Sequence, residues 1–156
     1  MQGNPFDGGI ANIIIARGAS PYWLSAAFFL VDVFCLGIKD VFVEELGAEE
    51  FAAAAAALGE VETLSDVEPA YARRLLQEAA AWAGSIGFKP HRDFASVERI
   101  FGDVDATACK AEFEFGYEGK PFYVAGDTET LAQVRQRFAH LVERFGEDGF
   151  DYMLPT

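Results

Sequence analysis

The residues best equipped for chemistry are Asp32, Cys35 and Asp40, set in one apolar segment, Leu30-Val31-Asp32-Val33-Phe34-Cys35-Leu36-Gly37-Ile38-Lys39-Asp40. A carboxylate inside such a stretch is costly to bury unless it is paired or hydrogen-bonded. Asp32 therefore needs a reason: a divalent ion, a base role or a structural partner. Asp32 and Asp40, near a strand end, are the candidate metal ligands, since two acidic groups there could hold a divalent ion. The competing reading is that Asp32 caps or pairs locally with Lys39 or Arg17, and it is preferred, because structural pairing also perturbs buried carboxylates.

A cysteine nucleophile needs a base within hydrogen-bond reach, and the chain has two histidines, His91 and His140. His140 sits between Phe138 and Leu141 on a predicted helix and reads as a surface or boundary residue. His91, in Phe88-Lys89-Pro90-His91-Arg92-Asp93-Phe94, falls at a helix start, where a side chain can face a cleft. Asp32, Cys35 and His91 are thus the catalytic candidates. Joining Cys35 to His91 takes a tertiary contact, and a cysteine in an aromatic strand is more often a small core hydrophobe.

Asp103, Asp105, Thr107 and Glu114 imitate the spacing of a calcium loop. Ala108, however, stands where the sharp turn wants glycine, and a capped turn explains the same residues. A glycine-rich phosphate loop, a zinc pattern and Gly-x-Ser-x-Gly are all absent from the sequence. In residues 113–123, Phe115, Tyr117, Lys120 and Phe122 are candidate binding residues: an aromatic hairpin with a cation at its tip could contact a protein. Its alternating residues could equally complete the core.

The elements that must position these groups follow from periodicity. Residues 10–17 and 22–37 predict an antiparallel hairpin, broken at Gly18, Ser20 and Pro21, with a central second strand covered on both faces. Lys39, Asp40, Glu44 and Glu45 close it, and residues 48–58 form an alanine-rich helix. Asp66, with Pro69 in the first turn, opens a helix to about Ser85 with Leu75, Leu76, Ala79 and Ala83 on its apolar face. A short helix spans 91–101. Residues 112–126 predict a second hairpin about the turn Tyr117-Glu118-Gly119-Lys120. Asp127 or Thr128 caps a last helix to Phe145, and the apolar tail from Gly149 is expected to dock. The class is α+β: an antiparallel sheet from two hairpins packed by about four helices, in one domain over residues 1–156.

Charge and composition bound the function. The 156 residues carry 25 Asp and Glu against 12 Lys and Arg, a formal net charge of -13. A field of that sign disfavours nucleic acid and anionic membrane surfaces and suits a basic protein partner. The apolar run 26–31 is far too short to span a bilayer. With two cysteines and no signal-peptide pattern at Met1, the expected home is the cytoplasm.

The blocks 30–40, 76–93 and 101–121, which includes Phe115-Gly116 and Gly119-Lys120-Pro121, are similar to those of a group of bacterial and archaeal proteins of unassigned function, in the same order. The resemblance spans about Ala11 to Gly126 and places Asp32, Cys35, His91 and Lys120 within shared motifs. It implies one folding unit and no particular reaction. Two functions are therefore expected in order: a non-enzymatic, acidic protein-interaction module, and alternatively a metal-dependent hydrolase of phosphoesters using Asp32 with Asp40 or Asp103 and a divalent ion as cofactor.

Overall fold

The computed structural model describes residues 1, 4–20, 22–61 and 64–154. After a short helix α1 (Pro5–Gly8), three long strands form an antiparallel meander: β1 (Ile10–Ser20), β2 (Trp23–Asp32) and β3 (Gly37–Gly47), with β2 in the middle. The hairpin of β1 and β2 and the central place of β2 agree with the sequence expectation. The apolar run does not continue as one strand to Gly37, however. It turns after Asp32, and residues 37–47 return as a third strand. The charges at Lys39, Asp40, Glu44 and Glu45 do not end the sheet. They lie on an edge strand, whose outward positions face water.

One sheet face supplies Ala11, Ile13, Phe29, Val31, Ile38 and Val41 to the main core. Helix α3 (Pro69–Ser85) covers them with Ala72, Leu75, Leu76 and Ala79, which recur at helical spacing. The contact is close at Gly37 (φ 68°), where an added Cβ would come within 2.7 Å of Ala83 Cβ. Helix α2 (Ala48–Val61) packs against β2 and β3. Phe51, Ala54, Ala55 and Leu58 are its half-buried residues. The expected helix over 91–101 is a single turn, α4 (Phe94–Val97), running into a 3₁₀ turn (Glu98–Phe101) that sends Phe94 and Phe101 into the core.

A second core joins Cys35, Leu36 and Ile86 to Tyr123, Leu141 and Phe150. It is built by α5 (Leu131–Phe145) and the C-terminal tail. Helix α5 starts at a Thr130–Gln133 capping box rather than at Asp127 or Thr128. Likewise Glu68, not Asp66, occupies the cap position of α3. The tail docks as expected, with Phe150 3% exposed, and forms β5 (Asp151–Met153).

The second hairpin does not form. Strand β4 (Phe122–Val124) pairs in parallel with β5, and residues 112–115 join no strand. Only the turn survives, with Tyr117 N–H donating to Lys120 O (2.7 Å) and Lys120 N–H to Tyr117 O (3.0 Å). The class is α+β, on a three-stranded antiparallel sheet and a separate parallel pair rather than on two hairpins.

Candidate functional site

The turn between β2 and β3 explains Asp32. Its Oδ1 accepts the backbone N–H groups of Phe34 (2.9 Å) and Cys35 (3.0 Å), and Oδ2 accepts that of Leu36 (3.1 Å). Burial pushes the Asp32 pKa up and outweighs the opposite pull of these three donors and the Lys39 charge. Every hydrogen-bond partner is a donor, which suits a carboxylate holding its own loop closed. This is the local capping role. The pairing partner considered for it at Arg17 instead lies with its guanidinium against Gly102.

Asp40 is not drawn into that loop. Its side chain is more than half exposed, with Oδ1 3.7 Å from His91 Nε2. His91 Nδ1 accepts the Asp93 N–H at 3.2 Å, so the proton of a neutral ring sits on Nε2, toward Asp40. Among the described residues no group of three or more His, Cys, Asp or Glu side chains is arranged to hold a metal ion.

Cys35 is fully buried in the second core beside Tyr123 and Leu141. Burial and the Asp32 charge drive its thiol pKa far up, so the thiol stays protonated at any physiological pH. His91 is engaged with Asp40 and Asp93, and His140 Nε2 lies 2.9 Å from Ile86 O. Cys35 and a histidine base therefore form no pair among the described residues. Asp105 Oδ1 accepts the Thr107 N–H (2.9 Å) and hydroxyl (2.7 Å), the capped turn that the calcium-loop spacing imitated.

Sequence reasoning missed an ionic cluster near the Asp32 loop. Glu129, whose side chain is 7% exposed, sits 3.6 Å from Lys39 Nζ and is ion-paired with Arg137. It also accepts the Tyr123 hydroxyl. Burial raises the Glu129 pKa, but the Tyr123 hydrogen bond and the Arg137 and Lys39 charges outweigh it and leave a net lowering. Burial and the Glu129 bond push Tyr123 up to about 12. These residues come from β3, β4, the loop before α5 and α5 itself, so no local spacing announces them.

The aromatic binding candidates lie on the other side of the same turn. Gly116 N–H donates to Val33 O (2.9 Å) and Phe122 N–H to Phe34 O (3.0 Å), fastening the Tyr117–Lys120 turn to the Asp32 loop. Phe115 and Phe122 are half-buried against the main core, and Phe115 stacks on Trp82 with centroids 5.7 Å apart. Tyr117 is 44% exposed and packs on Phe34 at 5.3 Å. Lys120 is turned to the Asp148 carbonyl (3.1 Å).

Upstream of the turn the chain joins no strand. Burial alternates from Cys109 to Phe115: Cys109, Ala111, Phe113 and Phe115 half-buried, Lys110, Glu112 and Glu114 exposed. That is the pattern of a strand with one face on a core. Among the described residues, the N–H groups of 110–115 donate to no backbone carbonyl. Beside this stretch lies a groove of about 750 Å³. Phe6, Phe34, Phe113, Phe115 and Tyr117 form its apolar part, with Phe6 stacked on Phe113 at 5.7 Å. Glu112, Glu114 and Glu118 line the same groove. Aromatic faces beside carboxylates attract cations by two additive effects, ring quadrupole and Coulomb attraction.

No protein-family model matches the chain, and neither a curated protein nor a solved structure matches it. No helix among the described residues is long and apolar enough to cross a membrane.

Proposed function

We propose that this protein is a non-enzymatic interaction module that takes a basic, extended segment of a partner protein along residues 110–115. The observation that carries the reading is the unpaired stretch itself, strand-like in burial and bordered by the aromatic, acid-lined groove. A partner strand laid against it gains main-chain hydrogen bonds, while alternate side chains enter the groove. Glu112, Glu114 and Glu118 select Lys or Arg at those positions, and the chain's net charge of -13 speeds the encounter.

The metal-assisted hydrolase draws less support. Asp32 is 3% exposed and already holds three backbone N–H groups, and Asp40 faces His91 and solvent.

The test is binding of short peptides that alternate Lys or Arg with Val or Leu, followed by fluorescence anisotropy and by amide exchange. Binding is expected to weaken as salt rises and to protect the amides of residues 110–115. The double reversal Glu112→Lys, Glu114→Lys should weaken it by about tenfold or more. Equal binding by the reversed protein, or protection elsewhere only, overturns the reading.

A further inference from the structure

A second cavity, of about 320 Å³, opens where β3 meets the loop before α4 and the first turns of α5. It shares no lining residue with the aromatic groove. Its polar wall is Lys39, Lys89, His91, Gln133 and Arg137, and no Asp or Glu lines it. Three of the chain's 12 Lys and Arg thus converge on one small cavity of a protein that is strongly acidic elsewhere.

Several charges lie behind and beside the wall. Glu129 lies against Lys39 and Arg137 and neutralises one of the two. Lys89 forms no ion pair among the described residues. His91 directs Nε2 toward Asp40 at 3.7 Å, and Asp93 Oδ2 lies 3.9 Å from its Nδ1. Both carboxylates are more than half exposed and Lys89 is exposed as well, so water screens all three. Lys39, Lys89 and Arg137 on the wall outnumber Glu129 behind it, while the Asp32 carboxylate behind Lys39 and the exposed Asp40 and Asp93 beside His91 reduce that excess. Like charges gathered in a partly enclosed cavity repel one another, and a bound dianion relieves that repulsion.

The wall also offers the right donors. Lysine gives a mobile ammonium and arginine a planar fork suited to oxyanions. Gln133 Oε1 is committed to the Thr130 N–H in the α5 cap, so its other end is an amide donor. Leu36, Ile38 and Phe88 complete the lining with apolar surface for a small organic group.

We propose that this cavity is a binding site for a phosphate dianion, free or as a small phosphomonoester. The site is distinct from the peptide groove, and its test does not depend on that reading.

The experiment is a titration with inorganic phosphate at constant ionic strength, read by thermal shift and by calorimetry, with chloride and acetate as comparisons. Glycerol phosphate forms a parallel arm. Phosphate should raise Tm where chloride and acetate at the same ionic strength do not. Lys89→Ala removes an exposed ammonium without touching the Glu129 cluster, so the variant should fold and bind phosphate about tenfold more weakly. Tighter binding of glycerol phosphate marks the monoester as the ligand class, and equal or weaker binding marks the free anion. The proposal fails if phosphate acts no differently from chloride, or if Lys89→Ala binds as the wild type does.

Discussion

Gly116 donates its backbone N–H to the carbonyl of Val33 at 2.9 Å, tying the aromatic turn to the loop that Asp32 holds closed. Gly116 has φ 83°, and an added Cβ would meet the Lys120 carbonyl oxygen at 2.6 Å. Gly119, two residues past Tyr117, has φ 80° but open space around it. Gly116→Ala should therefore cost about 2–3 kcal/mol, against about 1 kcal/mol for Gly119→Ala. Urea midpoints of the two variants check the difference.

Asp32→Ala should be the most damaging single change in the β2–β3 turn. It orphans three N–H groups in the interior, a loss of about 3–5 kcal/mol. Asp32→Asn keeps one acceptor oxygen and should lose less. Thermal shift with millimolar magnesium, manganese, zinc or calcium should show no stabilisation that depends on Asp32. An ion-dependent rise abolished by the substitution would restore the metal reading.

The two thiols should differ sharply. Native protein is expected to react with an aromatic disulfide reagent at Cys109, which is half-buried, and to react at Cys35 only after unfolding. Mass spectrometry of the labelled native protein identifies the modified residue. Rapid labelling of native Cys35 would reopen its candidacy as a nucleophile.

On the alkaline side the raised Cys35 thiol acts alongside Tyr123, and on the acid side stability depends in part on Glu129. Its folded pKa lies below the ordinary 4.5, so its contribution is complete above that value and is lost as pH falls through the depressed one. Tyr123 is raised from 10.0 to about 12, so its contribution is complete below 10 and is lost as pH rises toward 12. Glu129→Gln should flatten the acid limb and Tyr123→Phe the alkaline limb, in denaturation series taken across pH.

Glu118 has φ 50°, a left-handed conformation that a non-glycine residue adopts at a cost, at the tip of the turn lining the groove. With Gly119 also at positive φ, the turn has the form that favours asparagine before glycine. Glu118→Asn should raise stability by about 0.5–1 kcal/mol and weaken binding of basic peptides. Opposite signs in melting temperature and affinity would show that strain is held there for the sake of the charge.

Helices α3 and α5 were legible because long amphipathic periods survive any tertiary context. Leu75, Leu76 and Ala79, and Leu141 on α5, are buried where the spacing places them. The pairing of β1 with β2 followed from a β-branched run and a turn signal. Strand β3 escaped because edge strands carry charge, so Lys39, Asp40, Glu44 and Glu45 resembled an ending.

By itself, the sequence determined the class of the fold, the acidic surface, the period-2 alternation around Phe113 and Phe115, and the need of Asp32 for local partners. Each rests on residues close together in the chain. The tertiary structure alone decided that β4 pairs with the C-terminal tail instead of residues 112–115, leaving that stretch unpaired. It alone brought Lys39, Lys89, Gln133 and Arg137 to one cavity. Pairing choice and charge convergence depend on contacts between distant segments, whose closure is repaid only when the whole core assembles.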